Sequence, residues 1–165
     1  MLSQITINDF AIVDHLDLEM NAGMTVVSGE TGAGKSIMLD ALGLTLGDRT
    51  DASVVRHGCE KAEIHSVFDI SNHQGAQTWL QRHELSQDDN QQLMLRRIIS
   101  KEGRSRAYVN GRPTSLADLK TLGNMLIDIH SQHEHQSLLQ KDTPQKMVDG
   151  YAKAVKLQQE VHKAW

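Results

Sequence analysis

Three observations in the sequence predict an α/β fold. Residues 24–28, "MTVVS", form a short run rich in β-branched residues. A glycine-punctuated loop ending in Lys35-Ser36 follows, and then an apolar pattern with helical spacing. The flanking stretches alternate apolar and polar residues, the signature of half-buried strands.

Each element follows in order. Ile5, Ile7 and Phe10 alternate with polar residues, and a second alternating stretch runs from Ile12 to Leu18. Together they predict a hairpin turning around Asn8–Asp9. "NAG" at 21–23 is a turn, and "MTVVSG" reads as a short buried strand. A helix is expected from about Lys35, where Ile37, Met38, Leu39, Ala41, Leu42 and Leu46 make a broad apolar face. Gly43 and Gly47 weaken its end. Residues 48–60 are polar and irregular. "AEIHSVFDI" alternates Ile64, Ser66, Phe68 and Ile70 and predicts a strand. Residues 73–85 fit a short helix around Trp79 and Leu80. "QQLMLRRIIS" and "RSRAYVNGRP" predict two strands across "KEG", with Asn110-Gly111 as a tight-turn signal. Thr114 or Ser115 is placed to cap a helix from 116 to 123. "NMLIDIH" predicts a further buried strand, and "SQHEHQSLL" a polar loop running into a helix.

The pattern changes from Pro144 onward. Proline suits a helix first turn, with Asp142 or Thr143 as cap. Met147, Tyr151, Ala154, Val161 and Trp165 step by four and three, with Gln158 at the remaining site. That is an a/d seam over three heptads, unfinished at Trp165, and it predicts a helix entering a coiled coil.

Composition narrows the class. A chain of 165 residues buries a sizeable core. With aromatics at 4%, that core must be aliphatic. A net charge of −4 carries no overall signature of a nucleic-acid binder, although one face could still be basic. The single cysteine, Cys59, excludes an internal disulfide and fits a reducing compartment. No basic segment precedes an apolar core at the start, and no run approaches the ~20 apolar residues of a membrane span. A cytoplasmic chain with no membrane partner is expected.

The chemistry sits in one loop. Gly29-Glu30-Thr31-Gly32-Ala33-Gly34-Lys35-Ser36 matches G-x-x-x-x-G-K-[ST] at every fixed position. Such a loop curls around a phosphate so that successive backbone N–H groups point inward. Gly29, Gly32 and Gly34 permit that curl and the close approach. The helix behind it adds its positive end. Lys35 reaches the β- and γ-phosphates of ATP, and Ser36 offers a hydroxyl to Mg²⁺. Hydrolysis needs more, including an acidic residue on a neighbouring strand. Asp128 is the local candidate, but only Met125, Leu126 and Ile127 precede it and an isoleucine follows, a poor match.

Two other clusters carry chemistry. His130, His133 and His135 with Glu134 have the look of a metal site, but the pattern is not H-E-x-x-H and the one Cys is far off in sequence, so solvated or hydrogen-bonded loop histidines explain them better. Arg96, Arg97, Lys101, Arg104, Arg106 and Arg112 crowd one hairpin with a single acid, Glu102. They suit either sequence-independent contact with DNA phosphates or plain solubility.

The segments from Leu2 to Gly58, from Arg96 to Leu119 and from Leu126 to Leu139 closely resemble the RecN family, bacterial SMC-like ATPases that act in double-strand-break repair and the SOS response. The resemblance covers essentially the whole chain. It implies a P-loop NTPase of the ABC/SMC-type head, with a mixed sheet around the phosphate-loop strand. Residues 1–142 would be the N-terminal half of the head, and 143–165 the start of a coiled-coil helix. The signature motif, the Walker B acid and the catalytic glutamate would come from a C-terminal half of the same head. The family implies a second head, joined as a homodimer through sandwiched ATP, and DNA as a partner bound without regard to sequence. It places the protein in the bacterial cytoplasm, at the nucleoid. Gly29 to Ser36 would bind ATP, with Lys35 catalytic. Gln132 would be the Q-loop glutamine that joins the Mg²⁺ shell, with Gln136 as fallback. Asn8 and Phe10 match the family's opening strand near the nucleotide, and packing suits Phe10 better than adenine contact. Arg56, Arg104 and Arg106 are the candidates for contact with DNA or nucleotide. The alternatives are a P-loop small-molecule kinase, using residues 96–112 as a lid, and a non-catalytic dimerising scaffold.

Overall fold

The computed structural model describes residues 1–28, 34–87 and 91–127, and further along 148, 151–152, 154 and 160–161. Six strands form one sheet: β1 (Leu2–Phe10), β2 (Val13–Glu19), β3 (Lys61–Asp69), β4 (Gln92–Ser100), β5 (Ser105–Val109) and β6 (Arg112–Thr114). Their order across the sheet is β2-β1-β3-β4-β5-β6. Every neighbouring pair is antiparallel. What the described residues hold of the expected mixed sheet is therefore its antiparallel part.

Three helices accompany the sheet: α1 (Gly34–Thr45), α2 (Gln74–Arg82) and α3 (Leu116–Leu126). Alternation decides which face they cover. Ile5 and Ile7 of β1, Ile64 and Phe68 of β3, Leu93, Leu95 and Ile99 of β4 and Val109 of β5 are buried. α1 packs over β3 and β4, and α3 packs against β5 and α2. The opposite face carries Thr6, His65, Arg96 and Tyr108 in register across β1, β3, β4 and β5.

Several joints are tightly specified. Gly47 stands at φ +105°, and a Cβ there would lie 2.6 Å from the backbone of Lys120. A Cβ on Gly123 would lie 2.5 Å from the carbonyl oxygen of Leu46. Glycine at both positions lets the end of α1 and α3 touch. His73 caps α2: its Nδ1 accepts from the Ala76 N–H at 3.1 Å, so Nε2 carries the proton and donates to the Met125 carbonyl at 2.7 Å. Ser115 caps α3 by accepting from the Asp118 N–H.

Three expectations change. The first hairpin turns at Ala11 and Ile12, because Phe10 pairs with Val13. Asn8 stays inside β1, where its side chain meets His15 at 2.7 Å. Asp9 adopts φ 51°, accepts from the Cys59 thiol and receives the Arg56 N–H on its carbonyl. Residues 24–28 form no strand, and Met24, Val26 and Val27 are 94%, 82% and 44% exposed. A strand needs a partner ladder, and none of the described strands pairs with this run. Asn124 to Leu126 continue α3 instead of opening a strand. Phe10 is buried, a packing residue as expected.

The chain divides into two units, Met1–Ile127 and Asp128–Trp165. In the second, the Ala152 N–H donates to the Val148 carbonyl at 2.8 Å, a helical step. Of the heptad seam, Tyr151 and Val161 are exposed and helical and Ala154 is half-buried, while Met147, Gln158 and Trp165 lie outside the described residues. No helix among the described residues is long and apolar enough to cross a membrane.

Candidate functional site

α1 begins at Gly34, which puts Lys35 and Ser36 in its first turn. Ser36 is exposed and Lys35 half-buried. That turn contains no acidic residue, so nothing there opposes the positive end of the helix dipole. A Cβ built on Gly34 would meet no atom of the described residues within 4 Å. Packing among the described residues therefore does not require glycine at this position. Gly29, Glu30, Thr31, Gly32 and Ala33 lie outside the described residues.

The other end of α1 is fixed. Ala41 to Thr45 are buried, while Leu39 is 40% exposed. The buried Thr45 hydroxyl donates to the Leu42 carbonyl at 2.8 Å and lies 2.9 Å from the Ser66 hydroxyl of β3. Because Thr45 already donates to a carbonyl, Ser66 must donate to Thr45. A rigid sheet thus holds one end of the helix and leaves its first turn accessible.

The remaining predicted residues are spread out. Gln132, Gln136, Asp128 and the histidines at 130, 133 and 135 with Glu134 lie outside the described residues. Among the described residues, no group of three or more His, Cys, Asp or Glu could hold a metal ion. Arg56 pairs with Asp14 at 3.3 Å on the surface. Arg104 and Arg106 are exposed at the start of β5. The six basic residues of the hairpin do not make one patch. Arg96 binds Glu63 at 2.6 Å and sits 5.5 Å over the Tyr108 ring. Lys101 binds Glu60, and Arg112 donates to the Glu84 carbonyl. Arg97 faces the core at 2% exposure.

Sequence reading passed over Glu63 and took Arg97 only as a member of the basic cluster. Glu63 sits on the open face and gathers Lys61 and His65, both at 2.8 Å, together with Arg96. Burial alone would raise its pKa. The hydrogen bonds from Lys61 and His65 and the charges of Arg96 and Lys61 outweigh that and hold it at about 2. Arg97 was legible in principle, because the alternation of "LMLRRI" places it on the face of Leu93, Leu95 and Ile99.

The fold is that of an ABC/SMC-type head. One solved structure, from work on ATP-driven dimerization and DNA-stimulated activation of SMC ATPases, matches with a TM-score of 0.61 at 17% identity, covering 94% of this chain and 97% of that one. The SMC head domain from Thermotoga maritima matches at 0.55 and 18% identity, covering 73% and 41%. The recombination mediator RecF bound to ATPrS matches at 0.56 and 18%, covering 72% and 29%. The AAA-domain family model matches residues 4–163, and the chain belongs to that family.

Its homologues include DNA repair protein RecN of Xylella fastidiosa (strain Temecula1), 53% identical over 152 residues. RecN of Vibrio cholerae is 50% identical over the same length. These alignments cover 92% of this chain and 27% of each relative. RecN of Bacillus subtilis is 36% identical over 154 residues, covering 93% and 27%. The chain spans about a quarter of the length of these relatives. The kinase alternative is not favoured: residues 96–112, which had to serve as its lid, belong to strands and turns of the sheet.

Proposed function

We propose that the chain is the ATP-binding half of a RecN-like, SMC-type ATPase head acting in recombinational repair of DNA double-strand breaks. The observation that carries this reading is Lys35-Ser36 in the first turn of a helix whose other end is locked to the sheet, at the end of an intact G-x-x-x-x-G-K-S loop. The space left at Gly34 by the described residues and the absence of acid in that turn fit a phosphate group lying close to the backbone. The exposed Ser36 hydroxyl would hold Mg²⁺, which would supply charge neutralisation to the bound phosphates. Lys35 supplies a point charge to the transferring phosphoryl group as water attacks it in line. Gln132 completes the Mg²⁺ shell in this reading.

The head is incomplete in this chain. Residues 1–142 are the N-terminal half and 143–165 open the coiled coil. A C-terminal half brings the acid that activates water, and a second head closes over the ATP. DNA is bound through phosphates, with Arg56, Arg104 and Arg106 as candidate contacts. Binding of ATP engages the heads, and hydrolysis releases them.

Calorimetry with ATP and Mg²⁺ tests the reading on the chain and on Lys35→Ala. Saturable binding that weakens at least about tenfold in Lys35→Ala is expected, the loss of one charge-assisted contact. Hydrolysis is expected only after the C-terminal half is added. Binding indifferent to Lys35, or ordinary turnover by the chain alone, would overturn it.

A further inference from the structure

Arg97 is a charged side chain on the wrong face of its strand. It pairs in register with Ile64 of β3 and Ala107 of β5, both buried, and is itself 2% exposed. Its Nε and Nη1 are buried and have no hydrogen-bond partner among the described residues. Asp48 is the carboxylate whose field reaches it, yet that carboxylate is bonded to Lys120 at 3.2 Å. A buried cation without an acceptor is strongly unfavourable, so such groups are normally paired or bound to a ligand.

Arg97 is one of the residues lining a cavity of about 440 Å³. Arg106, Ser105, Thr114 and Leu116 also line it. Ala107, Tyr108 and Pro113 complete the lining, so the wall holds two arginines, three hydroxyl-bearing residues and no acidic side chain. The topology explains why the cavity exists. β6 pairs only with Ala107 to Val109, so Ser105 and Arg106 run past its end with that edge of β5 uncovered among the described residues. The gap opens there, between the end of β6 and the start of α3.

We propose that this cavity is an oxyanion site that takes a small phosphate group between the buried Arg97 and the exposed Arg106 of its lining. The guanidinium presents a planar fork of donors suited to phosphate oxygens. Turning its unpartnered edge toward the cavity gives the two orphan N–H groups acceptors. The Ser105 and Thr114 hydroxyls supply neutral donors. This site is separate from the loop at residues 29–36 and does not depend on the function proposed for it.

The experiment uses the full chain in a Lys35→Ala background, so that the phosphate loop does not report. The Arg97 Nε–Hε resonance is followed by ¹H–¹⁵N NMR as inorganic phosphate is added, with chloride at equal ionic strength as control. A saturable shift is expected with phosphate alone, weakened about tenfold by Arg106→Ala. Thermal unfolding gives a second readout: phosphate should raise Tm in the Lys35→Ala chain and leave Tm of an added Arg97→Met unchanged. Arg106→Ala lies at the surface and stays informative should Arg97→Met not fold. No saturable shift, an equal shift with chloride, or binding indifferent to Arg106→Ala would overturn the proposal. So would a shift with a short oligodeoxynucleotide and none with inorganic phosphate, which would assign the contact to a DNA backbone.

Discussion

Glu63 shows how one residue sets a pH dependence. Its carboxylate is 16% exposed and accepts from Lys61, His65 and Arg96 together. The folded pKa of about 2 lies below the ordinary value of 4.5, so the unfolded chain binds the proton more readily. The stability it contributes is complete above about pH 4.5 and is lost as pH falls toward 2. Glu63→Gln should cost about 1–2 kcal/mol at pH 7, less than the full shift implies, because water screens part of the pairing. Urea titrations between pH 7 and pH 2 should show the wild-type and Gln curves converging as the window is crossed. Curves that stay parallel would remove Glu63 from the account. Nothing local in "AEIHSVFD" announces this cluster, since Arg96 reaches it from the neighbouring strand. The Asn8–Asp9 turn signal misleads for a related reason. Asp9 finds partners on Arg56 and Cys59, far along the chain, and is held inside the strand. The real turn, Ala11-Ile12, carries no turn-forming chemistry of its own.

Helices were legible where local pattern and packing agree. α1, α2 and α3 fall where apolar spacing and caps place them, and Asn110-Gly111 makes its tight turn with both residues at positive φ. The strand expected at "NMLIDIH" failed because Gly123, Asn124, Met125 and Leu126 simply extend α3, held by Leu46 on one side and His73 on the other. Element scale is also where the candidate site acquires its rigidity. Thr45 and Ser66 are both fully buried and are each other's partner across α1 and β3. Thr45→Val strands the Ser66 hydroxyl and should cost about 1–3 kcal/mol. Thr45→Val with Ser66→Ala removes both groups and should recover a good part of that loss. A double-mutant cycle in urea gives the coupling, and strictly additive losses would mean that the pair does not seat the helix.

At the scale of the molecule, the decisive feature is a strand that is not one. "MTVVS" has the β-branched composition of a buried strand, yet Met24 and Val26 are 94% and 82% exposed. Composition is local, whereas pairing is supplied by other strands, and the six described strands leave this run without a ladder. In the proposed head, the C-terminal half supplies it and so fixes the loop that begins one residue later. An exposed β-branched run of this kind favours self-association in the meantime. Val26→Lys separates the two roles. Because Val26 touches little of the chain, the substitution should change unfolding free energy by less than about 0.5 kcal/mol. Light scattering should show less self-association than wild type. When the C-terminal half is added, the buried lysine should block assembly, and ATP hydrolysis should stay at the level of the chain alone. Full hydrolysis by Val26→Lys in that mixture would mean that residues 24–28 remain exposed in the complete head, and that the phosphate loop is positioned by α1 and its seat on β3.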